Sequence, residues 1–391
     1  MKLVFLSNFF NHHQKFLSDV LYEHLGDGYR FIETSVIPEM QKTLGYHSYD
    51  VPYVMQYNAD TKSEIDRLIL EADIVQVGEA PVSMIKERVK QGKLIVRDDE
   101  RRYKAFIKYL KWPIYTYASS YYNTGYLLAA SAFAPRDYVL SGMKPERCFK
   151  WGYFPELKRY ESIEALFALK EAHRKAIDVD VTLLWVARLI DWKHPEAAVN
   201  VAHRLQKEGV NFSMNIIGAG PMMGTIKNMT DTLGLNERVH ILGPVPPEQV
   251  RVYMEEADIF LFTSDQNEGW GVTLNESMNS GCAVVVGSMI GAVPFMVKGG
   301  ENGLIYPNNN QEQLCEIVSK LVSNTNAIKS LGMNAYNTII NEWNPEVAGK
   351  NLITLYEALL NGHQTPIQNG PCSKAEILTS KWTKQCQNFY K

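Results

Sequence analysis

The sequence predicts an α/β protein built from two Rossmann-like, doubly wound domains. Short apolar runs rich in β-branched and aromatic residues alternate with longer helical patterns, which is typical of parallel sheets with crossover helices. The chain has 391 residues, and at about 150 residues per domain this length predicts two or three domains. Hydrophobic residues make up 46% of the chain, which is enough for more than one buried core.

The expected strands are short and recur along both halves. In the first half they are Leu3–Ser7, Arg30–Thr34, Ile74–Val77 and Leu94–Val96, with helical patterns such as Gln14–Leu25 and Pro81–Gln91 between them. In the second half they are Thr182–Ala187, Ser213–Ile217, Val239–Leu242, Ile259–Phe262 and Ala283–Val286. The helices expected between these are Pro195–Glu208, Met222–Leu233, Pro247–Glu255 and Leu274–Ser280. The repeated rhythm predicts one parallel sheet in each half.

The domain boundaries follow from where the alternation of strands and helices stops and where it starts again. Residues 1–155 are assigned to a first domain, and the charged stretch 156–175 to a linker region. Residues 176–345 are assigned to the second domain. The C-terminal segment 346–391 is expected to be helical, at Pro345–Leu360 and Ser373–Gln385, and to return toward the first domain.

Composition excludes several classes of protein. The chain has 40 Lys and Arg against 43 Asp and Glu, a net charge of −3, so we expect no nucleic-acid partner bound through overall positive charge. No apolar run reaches the roughly 18 residues of a spanning helix, and the N-terminal apolar stretch is too short for a secretory signal. Five scattered cysteines without a C-x-x-C motif predict reduced thiols and a cytoplasmic location.

Polar and glycine residues cluster after the strands of the second half. Open parallel sheets bind ligands beyond the carboxyl ends of their strands, so these residues are expected to meet at one edge. They are Arg188 and Lys193 after the first strand, Gly218 and Gly220 after the second, Gly243-Pro244-Val245 after the third, and Glu268, Gly269, Trp270, Gly271 and Glu276 after the fourth.

This combination indicates a site for a nucleotide diphosphate. Arg188 and Lys193 can neutralise a pyrophosphate, and Gly269 and Gly271 let the backbone approach a ligand closely. A helix that begins near Gly271 would direct the amides of the next residues toward phosphate oxygens; these residues are Val272, Thr273 and Leu274. The carboxylate of Glu276 can accept two ribose hydroxyls, and Glu268 in the loop can meet a sugar beyond the phosphates.

Each of these residues also has an ordinary structural interpretation. An arginine after a strand is often a solvated rim residue, and the Gly218-x-Gly220 pattern often only turns a strand into a helix. Glu268 could favour the positive end of the following helix, and Glu276 could be a surface residue. It is their convergence on one sheet edge that favours a ligand site.

The segment from Glu268 to Val285 resembles the E-x7-E signature of the retaining glycosyltransferases of family 4. Arg188 and Lys193 are similar to the Arg and Lys that this family has after the first strand of its donor domain, and Gly218-Ala219-Gly220-Pro221 is similar to its next loop. The resemblance implies the GT-B fold, in which two Rossmann-like domains face each other across a cleft. It also implies transfer of a sugar with retention from a UDP-sugar or GDP-sugar, without a bound metal or other cofactor.

The resemblance implies a role for each matching residue. Glu268 would contact the donor sugar and Glu276 the ribose, while Arg188 and Lys193 would hold the diphosphate and stabilise the leaving group. The loop containing Val245 would flank the base. The Gly291–Phe295 loop lacks the acid that is common in the family, so one donor contact is expected to be missing or replaced.

The first half resembles the N-terminal, acceptor-side domains of bacterial polysaccharide-assembly glycosyltransferases more weakly. In place of a glycine-rich first loop it has Asn11, His12 and His13, and in place of a middle-strand histidine it has a stretch with Arg97, Asp98 and Glu100; these six are candidate cleft residues. This resemblance implies an exopolysaccharide, capsule or surface-glycan pathway with a glycan or lipid-linked acceptor. The basic and aromatic segment 101–112 would suit peripheral contact with the inner face of a membrane, although an ordinary packed helix explains it equally well.

Other functions stay open on the sequence alone. A nucleotide-sugar epimerase would use the same fold and site without an external acceptor, and a non-catalytic nucleotide-sugar binding protein would share the motifs. An NAD-dependent oxidoreductase is disfavoured, because Gly218, Gly220 and Gly224 have the wrong spacing for a dinucleotide fingerprint and no ribose-binding acid follows at the usual distance.

Overall fold

The structure is a computed structural model that describes residues 1–39, 47–100, 125–379, 382 and 386. The chain divides into two compact units. The first unit contains residues 1–156 and 342–378, and the second contains residues 157–341 and 379–391. Residues 157–175, which the sequence analysis assigns to a linker region, are therefore counted with the second unit.

The first unit is built on a sheet of seven parallel strands in the order β3-β2-β1-β4-β5-β6-β7. The strands are β1 Leu3–Ser7, β2 Tyr29–Glu33, β3 Val54–Gln56, β4 Ile74–Val77, β5 Ile95–Asp99, β6 Gly125–Ala129 and β7 Cys148–Lys150. The central strands are buried along their length, as expected for a parallel sheet covered on both faces.

The described helices of the first unit flank this sheet, and they include one from the C-terminal part of the chain. They are α1 His12–Leu25, α2 Lys62–Glu71, α3 Lys86–Lys90 and α4 Ala134–Leu140, together with α13 Pro345–Leu360. α13 packs closely on α1, because a Cβ atom added at Gly349 would lie 2.6 Å from Cγ1 of Val20. A glycine is therefore needed at this helix crossing.

The second unit has a six-stranded parallel sheet in the order β10-β9-β8-β11-β12-β13. Its strands are β8 Val181–Val186, β9 Phe212–Ile217, β10 Val239–Gly243, β11 Ile259–Phe262, β12 Ala283–Gly287 and β13 Leu304–Tyr306. Its helices are α5 Ile163–Ala176, α6 Pro195–Lys207, α7 Met223–Thr232, α8 Pro247–Glu256, α9 Val272–Asn279, α10 Val293–Met296, α11 Gln311–Val322 and α12 Thr325–Asn341.

The structure differs from the sequence prediction at one helix. Ser373–Gln385 was expected to be helical, yet the described residues 373–379 form no helix. Lys374 instead makes an antiparallel bridge with Phe149, and the amide of Ala375 donates to the carbonyl of Cys148 at 2.9 Å. The prediction is wrong for residues 373–379, and within them the carbonyl of Ser373 and the amide of Ala375 bond to the edge strand β7 instead of to a helix.

Candidate functional site

The strand order of the second unit reverses between β8 and β11. The chain runs from β8 to β9 and β10 on one side, and from β11 to β12 and β13 on the other. In open parallel sheets, ligands bind in the crevice beyond the carboxyl ends of the strands at such a switch point. The loop after β8 contains Arg188 and Lys193, and the loop after β11 contains Glu268. The topology therefore places the predicted cations and the first predicted acid at this switch point.

Lys193 and Glu268 form an ion pair in the second unit, with Nζ of the lysine donating to Oε2 of the glutamate. Their side chains are only 12% and 10% exposed. The Nζ atom also lies 4.5 Å from the centre of the Trp192 ring and 5.9 Å from that of Phe262, where the faces of aromatic rings attract a cation. The charge of this nearly buried lysine is thus compensated by one carboxylate and two rings.

Arg188 is the exposed cation of the same loop. Its guanidinium carbon lies 5.8 Å from the centre of the Trp192 ring, so one indole contacts both Arg188 and Lys193. Sequence reasoning did not single out Trp192. The available signal was an aromatic side chain directly before the lysine, within reach of both cations.

Hydrogen bonds tie the loop after β8 to the loop after β11. The hydroxyl of Thr263 donates to the carbonyl of Lys193 at 2.6 Å and accepts from Nε1 of Trp185 at 2.8 Å. The amide of Asp265 donates to the carbonyl of Trp192 at 3.0 Å. These bonds fix the backbone on both sides of the ion pair, so the pair is held by the fold as well as by its own attraction.

Gly218 and Gly220 lie against the backbone that carries Arg188. A Cβ atom added at Gly218 would lie 1.8 Å from the carbonyl oxygen of Ala187, and one added at Gly220 would lie 2.3 Å from that of Leu189. The amide of Leu189 also donates to the carbonyl of Ala219 at 2.9 Å. These glycines therefore allow two loops to touch at the edge where a diphosphate is expected.

The N-terminus of α9 closes the site on the side of β11. Gly271 has a φ of 93°, and a Cβ atom added there would lie 2.4 Å from Cζ of Phe262. The helix then begins at Val272, and Leu274 donates its amide to the carbonyl of Gly271 at 3.0 Å. The amides of Val272 and Thr273 stand at the start of the helix, where no intrahelical acceptor exists and where anions are favoured.

Three other residues that the sequence predicts to contact the donor are Gly269, Trp270 and Glu276, and they differ in how far they are buried. The indole of Trp270 is buried and donates to Oδ1 of Asn275 at 2.9 Å, so its ring N–H serves this internal bond and not the expected donor contact. Gly269 is also buried. Glu276 is partly buried and lies one helical turn after Val272, which places both on the same face of α9.

Val245 lies in the loop after β10 and is partly buried. The strand β10 ends at Gly243, whose carbonyl accepts from the amide of Gly218 at 2.8 Å. The loop is thereby linked to the glycine pair and, through it, to the loop of Arg188.

In the first unit, the predicted residues Asn11, His12 and His13 start helix α1. The side chain of Asn11 accepts from the amide of His13 at 2.8 Å, so Asn11 caps the helix. The rings of His12 and His13 lie 4.0 Å apart. Burial lowers the pKa of His12, and burial together with the neighbouring His12 lowers the pKa of His13 to about 3. Both imidazoles are therefore neutral at physiological pH.

The predicted residues in β5 and directly after it enter separate networks. The hydroxyl of Tyr153 donates to Oε1 of Glu100 at 2.6 Å, and its ring lies 6.1 Å from that of His13. Oδ2 of Asp98 accepts from Nε2 of Gln76 at 2.9 Å and from Nε1 of Trp151 at 3.1 Å.

Burial raises the pKa of Asp98 to about 7. Arg97 lies beside Asp99, with Nε 3.4 Å from Oδ2. Glu100 is thus grouped with His13 through Tyr153 at the carboxyl edge of the first sheet, whereas Asp98 belongs to an internal network.

Comparison with solved structures establishes the fold. The Anabaena protein Alr3699/HepE, solved in complex with UDP, superposes with a TM-score of 0.67 at 14% identity, over 90% of this chain and 98% of that one. The lipopolysaccharide outer core galactosyltransferase WaaB superposes with a TM-score of 0.64 at 16% identity, again over 90% and 98%. The predicted α/β architecture of the GT-B class is confirmed.

Comparison of sequences finds a family match in the second half. Residues 170–338 match the family described as glycosyl transferases group 1, which confirms the resemblance to glycosyltransferases seen in the sequence. The amylovoran biosynthesis glycosyltransferase AmsK of Erwinia amylovora is 28% identical over 191 residues, which are 48% of this chain and 47% of AmsK.

A D-inositol 3-phosphate glycosyltransferase of Corynebacterium efficiens is 25% identical over 157 residues, 39% of this chain and 37% of that protein. The chain thus aligns with about half or less of the length of these curated relatives.

Within the described ranges, no helix is both long and apolar enough to cross a membrane. The segment 101–112, for which the sequence analysis considers membrane contact, lies outside the described residues.

Proposed function

We propose that this protein is a retaining glycosyltransferase that transfers a sugar from a nucleotide diphosphate sugar to an acceptor hydroxyl. The observation that carries the proposal is the Lys193–Glu268 pair at the switch point of the second sheet. Around it are the exposed guanidinium of Arg188, two glycine-lined loops and the N-terminus of α9. A site with two cations, helix amides and a carboxylate suits a ligand with a diphosphate at one end and hydroxyls at the other.

In the proposed site, each group acts on a different part of the donor. Arg188, Lys193 and the first amides of α9 neutralise the diphosphate, and their attraction grows as charge develops on the leaving group. Glu268 accepts hydroxyl hydrogens of the donor sugar. Glu276 accepts those of the ribose.

The transfer itself needs no further acid or base from the protein. The acceptor oxygen forms a bond to the anomeric carbon on the face from which the diphosphate leaves, while the bond from that carbon to the phosphate oxygen breaks. The acceptor proton passes to the departing phosphate, so atoms and charge balance and the anomeric configuration is retained. Positive charge at the leaving group comes from Arg188 and Lys193, and the proposed reaction uses no bound metal.

The names of the relatives favour a role in polysaccharide assembly. AmsK is named for amylovoran biosynthesis, and WaaB for the lipopolysaccharide outer core. HepE was solved with UDP and with UDP-glucose, which favours a UDP-sugar as the first donor to test. We propose a glycan or lipid-linked acceptor, which the protein reaches in the cytoplasm or on the inner face of a membrane. Flotation with anionic liposomes would detect binding to the membrane.

The first experiment is a thermal-shift panel of UDP-, GDP- and ADP-sugars, because a ligand that binds the folded state raises its melting temperature. Wild type should respond to one nucleotide class, and Lys193→Met should not. A matched control is Lys298→Met, since Lys298 is an exposed lysine 3.5 Å from the exposed Glu301. No shift with any sugar nucleotide would contradict the proposal.

Turnover assays then separate transfer from the alternatives. With a donor and a glycan acceptor, the product should keep the anomeric configuration of the donor, and added EDTA should leave the rate unchanged. An epimerised sugar nucleotide formed from the donor alone would identify an epimerase instead. Binding without any turnover over a broad acceptor panel would favour a non-catalytic binding protein.

A further inference from the structure

His194 adopts a backbone conformation that is rare for a residue with a side chain. It follows Lys193 directly and has φ 50° and ψ 55°, in the left-handed region. The position is also the N-cap of α6, and Pro195 comes next. Because a Cβ atom disfavours this conformation, contacts of the side chain or the backbone must hold it in place.

The imidazole of His194 lies between two carboxylates from different elements. Its Nδ1 is 2.8 Å from Oε1 of Glu196, in the first turn of α6, and its Nε2 is 3.7 Å from Oδ2 of Asp265, in the loop after β11. Glu196 also accepts from Nε2 of Gln311 at 3.3 Å, and Asp265 accepts from the amide of Asn267 at 2.7 Å. Both carboxylates are therefore positioned by neighbours of their own.

This arrangement favours the protonated ring. A neutral imidazole that donates from Nδ1 to Glu196 turns the lone pair of Nε2 toward Asp265. An imidazolium donates to Glu196 in the same way and presents a positive charge to Asp265 across 3.7 Å, which is an electrostatic contact and not a hydrogen bond. The hydrogen bond to Glu196 and the charge of Asp265 raise the pKa of His194 above its ordinary value. Among the described residues, other ionisable groups of the adjoining loops and strands include the Lys193–Glu268 pair and Asp191, whose carbonyl accepts from the amide of His194. They also include Tyr306, whose pKa is raised by burial and by Glu196, so that it stays neutral.

We propose that His194 is a positioning residue that, as an imidazolium, joins Glu196 to Asp265 and so fixes the turn from which Lys193 reaches Glu268. The hydroxyl of Thr263 supports the same turn, since it lies 2.6 Å from the carbonyl oxygen of Lys193 and 3.0 Å from that of His194. Loss of the ring proton makes the approach to Asp265 repulsive and loosens the turn. The consequence for donor binding rests on the proposed function, whereas the hold on the turn does not.

The ligand-independent test measures amide hydrogen exchange of residues 188–194 from pH 5.5 to 8.5, corrected for intrinsic exchange. Wild-type protection should fall by at least about fivefold as pH rises through the pKa of His194. His194→Asn should show no such fall, because asparagine tolerates the left-handed conformation but does not titrate. In the control His173→Asn, which removes an imidazole 3.6 Å from Glu256, the wild-type profile should persist. The same profile in His194→Asn as in wild type would overturn the proposal.

The second test measures affinity for UDP-glucose, a diphosphate diester whose phosphates do not titrate near neutral pH. Wild-type affinity should fall about fivefold from pH 6 to pH 8, and that of His194→Asn should not change. Equal pH dependence in both would overturn the positioning role in donor binding and leave the proposed function standing. If no UDP-, GDP- or ADP-sugar of the panel binds wild type at any pH, the proposed function fails, and the exchange experiment still decides whether His194 holds the turn.

Discussion

The ion pair of Lys193 and Glu268 gives the sharpest test, because its two partners are expected to act with opposite sign on a bound diphosphate. The two side chains are 12% and 10% exposed, and two unit charges in hydrogen-bond contact attract by about 5 kcal/mol at an effective dielectric constant of 20. Desolvation offsets most of this gain, but removing one partner alone leaves a nearly buried charge and costs about 3 kcal/mol. Lys193→Met should therefore lower the melting temperature of the second unit by about 6–12 °C.

Binding should separate the two residues. Lys193→Met removes a cation from the phosphate site, so its affinity for bare UDP, or for GDP if the panel selects that nucleotide, should fall at least about tenfold, or 1.4 kcal/mol. Glu268→Gln removes a competing anion, so its affinity for the bare nucleotide should be unchanged or higher. The same variant should lose the additional affinity that wild type shows for the sugar nucleotide over the bare nucleotide.

Titration calorimetry with the bare nucleotide and with the sugar nucleotide measures the affinity of each variant for both ligands. The difference between the two is the additional affinity that the sugar gives. The control Lys298→Met should change stability by less than about 1 kcal/mol and should not change binding. The reasoning would be refuted if Lys193→Met bound the bare nucleotide as wild type does. It would also be refuted if Glu268→Gln lost the bare nucleotide as completely as Lys193→Met.

Two further predictions concern a glycine and a buried acid. Gly218→Ala places a methyl group 1.8 Å from the carbonyl oxygen of Ala187, so the loops must separate, and calorimetry should show donor affinity at least about tenfold lower. Gly224→Ala, with open space around it, should bind normally. Burial raises the pKa of Asp98 to about 7, so the folded state holds this proton more tightly than the unfolded chain, and stability falls as pH rises from about 4 to 7. Asp98→Asn removes this loss, so its melting temperature should rise relative to that of wild type from pH 5 to pH 8. The same dependence of melting temperature on pH in both proteins would contradict this.

The strands that sequence analysis predicted best are those at the centre of each sheet. Leu3–Ser7, Ile74–Val77 and Ile259–Phe262 agree with the structure residue for residue, because strands buried on both faces appear as continuous apolar runs. The strands that it missed include Val54–Gln56 and Leu304–Tyr306, both three residues long and at sheet edges. So short a segment has no readable periodicity, and it becomes a strand only through pairing with a neighbour.

The candidate site shows a similar division. The residue types and their order after the strands were readable, since parallel topology brings all carboxyl ends to one edge. The partner of each side chain was not readable, and neither was the role of His194, which depends on Asp265 some seventy residues later. Lys170 is an extreme case. The sequence assigns it to a charged linker region, yet its side chain is fully buried and donates to the carbonyls of Met254 and Ala257 at the end of α8.

The pairing of Lys193 with Glu268 suggests how donor recognition is ordered in the proposed function. A nearly buried lysine needs a partner before any ligand arrives, and in this structure Glu268 is that partner. A diphosphate that enters beside Lys193 competes with the carboxylate for the same ammonium hydrogens. Glu268 then becomes free to accept hydroxyl hydrogens from the sugar. Recognition of the phosphate and of the sugar would thus be coupled through one ion pair, and a nucleotide without its sugar would leave the displaced carboxylate without a new partner.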